Sequence, residues 1–348
     1  MSEPQIRQAT LRDVADLAGV SYQTVWRVVN DRPHVAPETR ERVLMAVRKL
    51  DYRPHRAAQM LTTGRSYILQ LVIFEYGYGD PLPAVLHWAR EYGYTMVVTE
   101  LKDPTSPESV RAVLRETARM IDGLLMVMPY PHLSYEALTQ LCRGRPFVVV
   151  NTKLGSRMPS VVFDQWNGGR QAAEHLLNMG HRQIAEICGP LENFDAQVRD
   201  RAWRAVLVEH GLEPGPRVVG DYEVCSGYTG AQKLLQTQQP FTAILSGNDL
   251  MALGAIRALR EAGLRVPEDV SIVGFDDIAE AAYFDPPLTT VRQDFDVLGK
   301  ASVDYLAALI EHQEIAVQQR VLYPELIVRK SVQRLETPGK EVGQAQET

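Results

Sequence analysis

The chain has 348 residues, 45% of them hydrophobic and 23% charged, with a formal net charge of −6. That balance suits a packed globular protein rather than a disordered one, and the length asks for two or three folded units. No run of about 18 apolar residues is present, and MSEPQIRQATLRD lacks an apolar signal core, so a cytoplasmic protein without membrane contact is expected. Cys142, Cys188 and Cys225 stand far apart, with no CxxC pair and no histidine at ligand spacing. They read as reduced thiols, and neither metal nor cofactor is expected. The charge is uneven. Residues 1–65 carry 11 Arg/Lys against 7 Asp/Glu, and the remainder 26 against 36. A basic front on an acidic body suits a polyanionic partner at the front, although an Arg-rich solvated helix face gives the same count.

Thr10-Leu11-Arg12-Asp13 reads as a capping box opening a first helix, with Leu11, Val14, Ala15 and Ala18 at helical spacing and Gly19 as the breaker. Ser21 can cap a second helix running to Asn30. Pro37-Glu38 opens a third, with Val43, Leu44, Val47 and Leu50 on one face. Two short helices around a tight Gly-Val-Ser turn, with a supporting helix behind, make a helix-turn-helix layout; a plain three-helix bundle has the same pattern. At about 100° per residue, Val25, Val28 and Val29 form the core stripe of the second helix. Trp26 shares the opposite side with Gln23, Asn30 and Arg27, and Tyr22 sits at the seam. Gln pairs bidentately with adenine, Arg binds guanine or phosphate, and aromatic rings pack on sugars. The alternative for Trp26 is rim packing against the third helix.

RPHRAAQMLTTGR, from Arg53 to Arg65, is a polar linker able to form one or two helical turns when supported. After Ser66 strand and helix alternate. YILQLVIF, YTMVVTE, DGLLMVM, PFVVVN, SVVF, QIAEICG, TAILSG and VSIVGFDD are strand candidates. ESVRAVLRETARM, NGGRQAAEHLLNMG, VRDRAWRAVLVEHG and DLMALGAIRALREAG are helical. Continuous apolar strands between helices predict parallel sheets covered on both faces, in two doubly wound lobes with ligands at the carboxyl ends of the strands. The fold class is an all-α helix-turn-helix headpiece plus an α/β core of two parallel-sheet lobes. The expected units are a headpiece over 1–52, a hinge over 53–65, a core over 66–335 and a disordered tail over 336–348. Within the core, one lobe takes about 66–163 and 293–322, and the other about 164–292 and 323–335. The chain shows no P-loop, no GxSxG elbow and no clustered His/Cys/Asp site. The turns NGGR and SGND lack the glycine spacing of a phosphate cradle, so an enzyme is not expected.

The segment TLRDVADLAGVSYQTVWRVVNDRPHVAPETRERVLMAVRKLDYRPHRAAQML resembles the DNA-binding headpiece of the LacI/GalR repressors. The likeness continues in NGGRQAAEHLLNMGHRQIAEICGP, NDLMALGAIRALREAGLRVPEDVSIVGFDD and PPLTTVRQDFDVLGKASVDYL, covering roughly residues 8 to 335. The resemblance implies a headpiece, a hinge helix and a two-lobed core like that of periplasmic sugar-binding proteins. It implies base reading by Tyr22, Gln23 and Arg27, and contacts to the DNA backbone or groove edge by Thr24, Asn30 and His34. Thr10, Leu11, Ser21 and Trp26 complete the expected DNA-facing set, Trp26 standing where the family usually has serine. Ala58 and Leu61 match the minor-groove positions, where an apolar wedge unstacks a base step and bends the duplex. For the effector it implies polar contacts from Arg199, Asn248 and Asp276 and aromatic ones from Tyr222 and Phe295. Asn151, Asp164, Phe74 and Glu75 are further candidates at strand ends, each of which could instead be a loop cap or surface group. The expected partners are double-stranded operator DNA, a mono- or disaccharide effector and a second copy of the chain. No leucine heptad follows residue 335, so a homodimer is expected. A solute-binding protein is the competing reading, and the headpiece argues against it.

Overall fold

A computed structural model of the chain describes residues 9–29, 33–52, 64–73, 81–101, 108, 111–113, 120–127, 134–311 and 318–335. It divides into two compact units, Met1–Tyr67 and Ile68–Thr348.

In the first unit, helix α1 (Leu11–Ala18) opens with the capping box: Asp13 N donates to Thr10 Oγ1 at 3.3 Å, and Thr10 N donates to Asp13 Oδ2 at 2.7 Å. Gly19 ends it at φ 63°, a left-handed conformation that a side chain disfavours. Helix α2 (Tyr22–Val29) begins where Thr24 N donates to Ser21 Oγ at 3.1 Å, and α3 (Pro37–Lys49) carries its proline at the start. Val14, Val25 and Val43 are fully buried where the three helices meet, with Ala18, Val28, Ala46 and Tyr52 around them. The α3 face differs from the expected one: Leu44 is 41% exposed, and Val43 and Ala46 do the packing. Val47 and Leu50 are partly buried at the rim, so the apolar stripe is one residue narrower than the spacing of leucines and valines suggests.

The second unit contains two six-stranded sheets. The first takes β1 (Ile68–Ile73), β2 (Thr95–Glu100), β3 (Gly123–Val127), β4 (Phe147–Val150) and β5 (Ser160–Phe163). The chain then crosses into the second sheet through β6 (Ile184–Cys188), β7 (Arg217–Val219), β8 (Ala243–Ser246), β9 (Ser271–Asp276) and β10 (Thr289–Arg292). It returns to add β11 (Gln319–Leu322) beside β5, and crosses a third time to lay β12 (Glu325–Ile327) antiparallel to β10. The orders are β11-β5-β4-β3-β1-β2 and β12-β10-β9-β8-β6-β7. All pairings except β10–β12 are parallel.

Helices cover both faces of each sheet, which is why the strands read as unbroken apolar runs. Helices α4 (Leu82–Glu91) and α10 (Phe295–Ile310) pack on the first sheet around Leu69, Leu125 and Val148, with α5 (Tyr135–Leu141) on the other side. Helices α6 (Gln165–Asn178) and α7 (Phe194–Glu209) cover one face of the second sheet around Trp203 and Phe275. Helices α8 (Val224–Gln236) and α9 (Asp249–Glu261) cover the other around Ile187 and Ile272. Cys142 and Cys188 are buried and Cys225 is exposed, all three as free thiols. No described helix is long and apolar enough to cross a membrane.

One charged residue interrupts the β6 run. Glu186 faces α7, where Arg204 Nη2 lies 3.2 Å from its Oε2, while Asp200 Oδ1 accepts from Arg204 Nε at 2.8 Å and Arg217 Nη1 at 2.9 Å. Burial, with Asp200 beside it, pushes the Glu186 carboxyl from its ordinary 4.5 up to about 8. The folded chain therefore keeps a proton that the unfolded chain releases, and stability falls as pH rises from 4.5 towards 8. Glu186→Gln keeps the size and shape of the side chain and removes the titration. Its melting temperature is expected to decline less than that of the parent across this window; parallel profiles would contradict the assignment.

Candidate functional site

On the first unit, α2 presents Tyr22, 52% exposed, beside exposed Ser21, Gln23 and Arg27. Tyr22 thus stands farther out than the seam position expected of it, and Trp26 is half-buried rather than fully outward. Thr24 is half-buried, its hydroxyl 2.9 Å from Ser21 Oγ. Thr10 is exposed and engaged in the cap, and Leu11 packs against the headpiece core. His34 is exposed at φ 70°. Asn30, Ala58, Leu61, Phe74 and Glu75 lie outside the described residues. The face therefore joins a protruding phenol, an amide and a guanidinium on one short helix, an arrangement suited to base edges and phosphates in a major groove.

On the second unit, the predicted polar residues converge at the carboxyl ends of the second sheet's strands. Asp276, the last residue of β9, is 9% exposed, and Arg199 on α7 is 5% exposed. Arg199 Nη1 lies 3.8 Å from Asp276 Oδ1 and donates to Gly247 O at 2.8 Å. Its guanidinium carbon stacks 3.7 Å from the Phe275 ring centroid, which holds the group flat. Asn248 caps α9, accepting from Met251 N at 2.9 Å, and its Nδ2 donates to Tyr222 O at 2.9 Å. The backbone so held puts Tyr222 at φ 72°. Its ring occupies the space beside Gly189, where a side chain would strike it. Burial raises the Tyr222 phenol, keeping it a neutral donor.

Asp276 sits at φ 109° and Asp277 at φ 56°, a conformation that costs an aspartate on the order of 1 kcal/mol or more at each position. The fold holds this turn from two sides. Asp249, fully buried, accepts from Ile278 N at 2.9 Å and from Thr290 Oγ1 at 2.5 Å. Asp277 is clamped by Arg292 at 2.7 Å and Arg329 at 2.6 Å. Burial pushes the Asp249 carboxyl up to about 8 and that of Asp276 to about 6, Arg199 and Gln293 pulling the latter back. Asp195, one turn before Arg199 on α7, is likewise raised by burial.

The remaining described candidates stand on other elements, after β4 and at the starts of α6 and α10. Asn151 follows β4 at φ 57°, and its carboxamide oxygen is buried with no partner among the described residues. Asp164 is the N-cap of α6, accepting from Asn167 N at 2.9 Å, so its carboxylate already has a structural duty. Phe295 opens α10 and packs edge-on to Phe163, ring centroids 5.7 Å apart. Sequence reasoning missed Asp195, Asp249, Gln165 and Gln293. The position of Gln293 inside the predicted crossing, LTTVRQDFD, and the acid following Asn248 in SGND were the available signals.

A helix-turn-helix headpiece on a two-lobed, parallel-sheet core with a polar site at its strand ends defines a DNA-binding regulator with a ligand-binding domain. Residues 10–55 match the bacterial regulatory proteins of the lacI family, and residues 173–332 match the periplasmic binding protein-like domain. The lactose operon repressor of Escherichia coli K12 is 35% identical over 328 residues, covering 93% of this chain and 91% of its own. The HTH-type transcriptional repressor PurR of Haemophilus influenzae PittEE is 36% identical over 338 residues, covering 94% and 99%. Among solved structures, the lac repressor dimer bound to operator and the anti-inducer ONPF aligns with a TM-score of 0.82 at 34% identity, covering 94% and 100% of the two chains. The chain belongs to the lacI family of bacterial regulatory proteins.

Proposed function

We propose that the protein represses a carbohydrate-utilisation operon: a homodimer binds a palindromic operator and is released by a small neutral mono- or disaccharide. The observation that carries the effector reading is the Arg199–Asp276 pair at the strand ends. Asp276 Oδ1 accepts from Gln293, leaving Oδ2 as an acceptor for a ligand hydroxyl, while Arg199 donates to ring or hydroxyl oxygens. Two carboxylates, Asp276 and Asp195, face one guanidinium. That charge balance repels anions and suits a neutral polyol. Asn248, Tyr222 and Phe295 are proposed to complete the polar and aromatic lining, with Asn151, Phe74 and Glu75 contributing from the first lobe and Asp164 from the start of α6.

Release requires that the effector bind the DNA-competent and DNA-incompetent states differently. Moving the population from 1:99 to 99:1 takes a differential of roughly 5.5 kcal/mol. The operator-bound dimer among the relatives supports two-fold binding of an inverted repeat. Tyr22, Gln23 and Arg27 are proposed to read bases. Thr10, Leu11, Ser21, Thr24, Asn30 and His34 are proposed to position the headpiece, and Ala58 and Leu61 to enter the minor groove, as the family resemblance implies.

A second reading is a co-repressor responding to a non-sugar ligand. The repressors named PurR favour it, because one of them matches at 36% identity against 35% for the lactose operon repressor. A thermal-shift screen separates the two, since a ligand of the native state raises its stability by mass action. Saccharides are expected to raise the transition. A rise with purines or amino acids alone would remove the sugar reading.

Trp26 is proposed to contribute to operator choice. Trp26→Ser, which restores the family's usual residue, is expected to change the preferred half-site sequence in a selection experiment with little effect on headpiece melting. An unchanged preference with shifted melting would assign the indole to packing.

A further inference from the structure

The first two crossovers between the sheets each carry a glutamine, and the two side chains meet in the interior. Gln165 opens α6 after β5, Gln293 follows β10, and they are 5% and 6% exposed. Gln165 Nε2 donates to Gln293 Oε1 at 2.8 Å. At one end of this pair Arg199 Nε donates to Gln165 Oε1 at 2.8 Å, and at the other Gln293 Nε2 donates to Asp276 Oδ1 at 2.7 Å. The 3.8 Å approach of Arg199 Nη1 to Asp276 Oδ1 closes the ring. A guanidinium only donates and an ionised carboxylate only accepts. The two ends therefore set the direction of every bond between them, and neither amide can flip without losing its partners on both sides.

We infer that Gln165 is a positioning residue of the effector site, aiming Arg199 directly and Asp276 through Gln293, and tying both to the crossovers that join the lobes. This rests on Arg199 and Asp276 being the groups that hold the effector. A ligand that draws either group towards itself must turn or unload an amide on a crossover. Occupancy at the strand ends is thereby registered in the segments about which the lobes are set. Replacing only one link leaves a buried amide unpaired, which costs more than the bond itself contributes. The ring therefore acts as a unit.

The test uses the full chain without ligand, with aspartate side-chain carboxyls labelled with 13C. The carboxyl chemical shift of Asp276 follows its own ionisation as pH changes, whether or not Gln293 stays bonded to it. The other groups facing Asp276 are Arg199 and Asp195 from α7, Tyr222 ahead of α8 and Asp249 at the start of α9; all are unchanged in the variants. Gln165→Met fills the same space but neither accepts from Arg199 nor orients Gln293. The titration midpoint of Asp276 is expected to move up by about one pH unit or more, a tenfold change in proton affinity, because a donor to its charged form is no longer held in place.

A parent-like midpoint in Gln165→Met overturns the proposal, and any change in melting temperature then reflects packing alone. Should Gln165→Met fail to fold, Gln165→Leu replaces it. That side chain is likewise uncharged and neither accepts from Arg199 nor donates to Gln293, and its expected shift is in the same direction. The titration needs no effector, so a saccharide screen that finds nothing would remove the effector reading without bearing on this result.

Discussion

Asp276→Asn is expected to lower effector affinity by about a hundredfold or more, with operator binding by the ligand-free protein retained. The substitution keeps the shape of the side chain and removes its charge, leaving the Arg199 guanidinium, 5% exposed and stacked on Phe275, with only one of the two carboxylates that face it. Losing a hydrogen bond from a ligand hydroxyl to a buried charged acceptor costs roughly 1.5–3 kcal/mol, and about 2.7 kcal/mol is a hundredfold in affinity. An asparagine that turns its oxygen to the Gln293 donor puts its own NH2 where Oδ2 is proposed to accept from the ligand. Isothermal titration with the saccharide found in the screen measures the first part, and operator binding by fluorescence anisotropy the second. An affinity within about threefold of the parent would show that Asp276 is a turn residue rather than a ligand group.

Gly254→Ala is expected to destabilise the core by about 3 kcal/mol, at the upper end of what overpacking a close contact costs. A methyl at this position on α9 would run into the carbonyl oxygen of Val224 and the amide nitrogen of Tyr228, which are backbone atoms of α8 and cannot rotate aside. Gly227 on α8 meets the Met251 backbone in the same way. The two helices therefore cross with their main chains in contact at a pair of glycines. Helix propensity alone would favour alanine by about 1 kcal/mol, so the sign of the change is itself diagnostic. A lowered urea midpoint is expected; an unchanged or raised one would mean that α8 and α9 do not approach as described.

The alternation of strand and helix was legible because it is local. The apolar runs from Ile68 to Asp276 became strands of parallel sheets, and the capping box at Thr10–Asp13 formed as its residue types require. What escaped was short or diluted. The strands β7 and β12 have three residues each, and α8 interleaves its apolar positions with Gly227 and Gly230, which are needed for close approach rather than for helix formation. The helical wheel misjudged Leu44, because the width of a buried stripe is set by the partners facing it rather than by the helix that carries it.

At the proposed effector site, Arg199, Asn248 and Asp276 came from the resemblance and from their places in the chain, and the structure gathers them at the strand ends. The amides that support them did not announce themselves. A glutamine carries no periodicity, and Gln165 finds its partner 128 residues away, a pairing that only the topology of the crossovers creates. Asp249 is similar. Its carboxylate holds the positive-φ turn after β9 from inside the core, where an acid is unexpected until Thr290 and the Ile278 amide are seen to satisfy it.

The central claim is that occupancy of the Arg199–Asp276 site controls binding of DNA by the headpiece. Its most direct test is a titration of the full chain against a palindromic site from its own promoter, at one fixed salt concentration because phosphate contacts make affinity strongly salt-dependent. The titration is run with and without the saccharide that raises the melting transition. The account predicts a loss of specific affinity when the saccharide is present, and no such loss in Asp276→Asn at the same saccharide concentration. Equal operator affinity with and without a saccharide that demonstrably binds would contradict it.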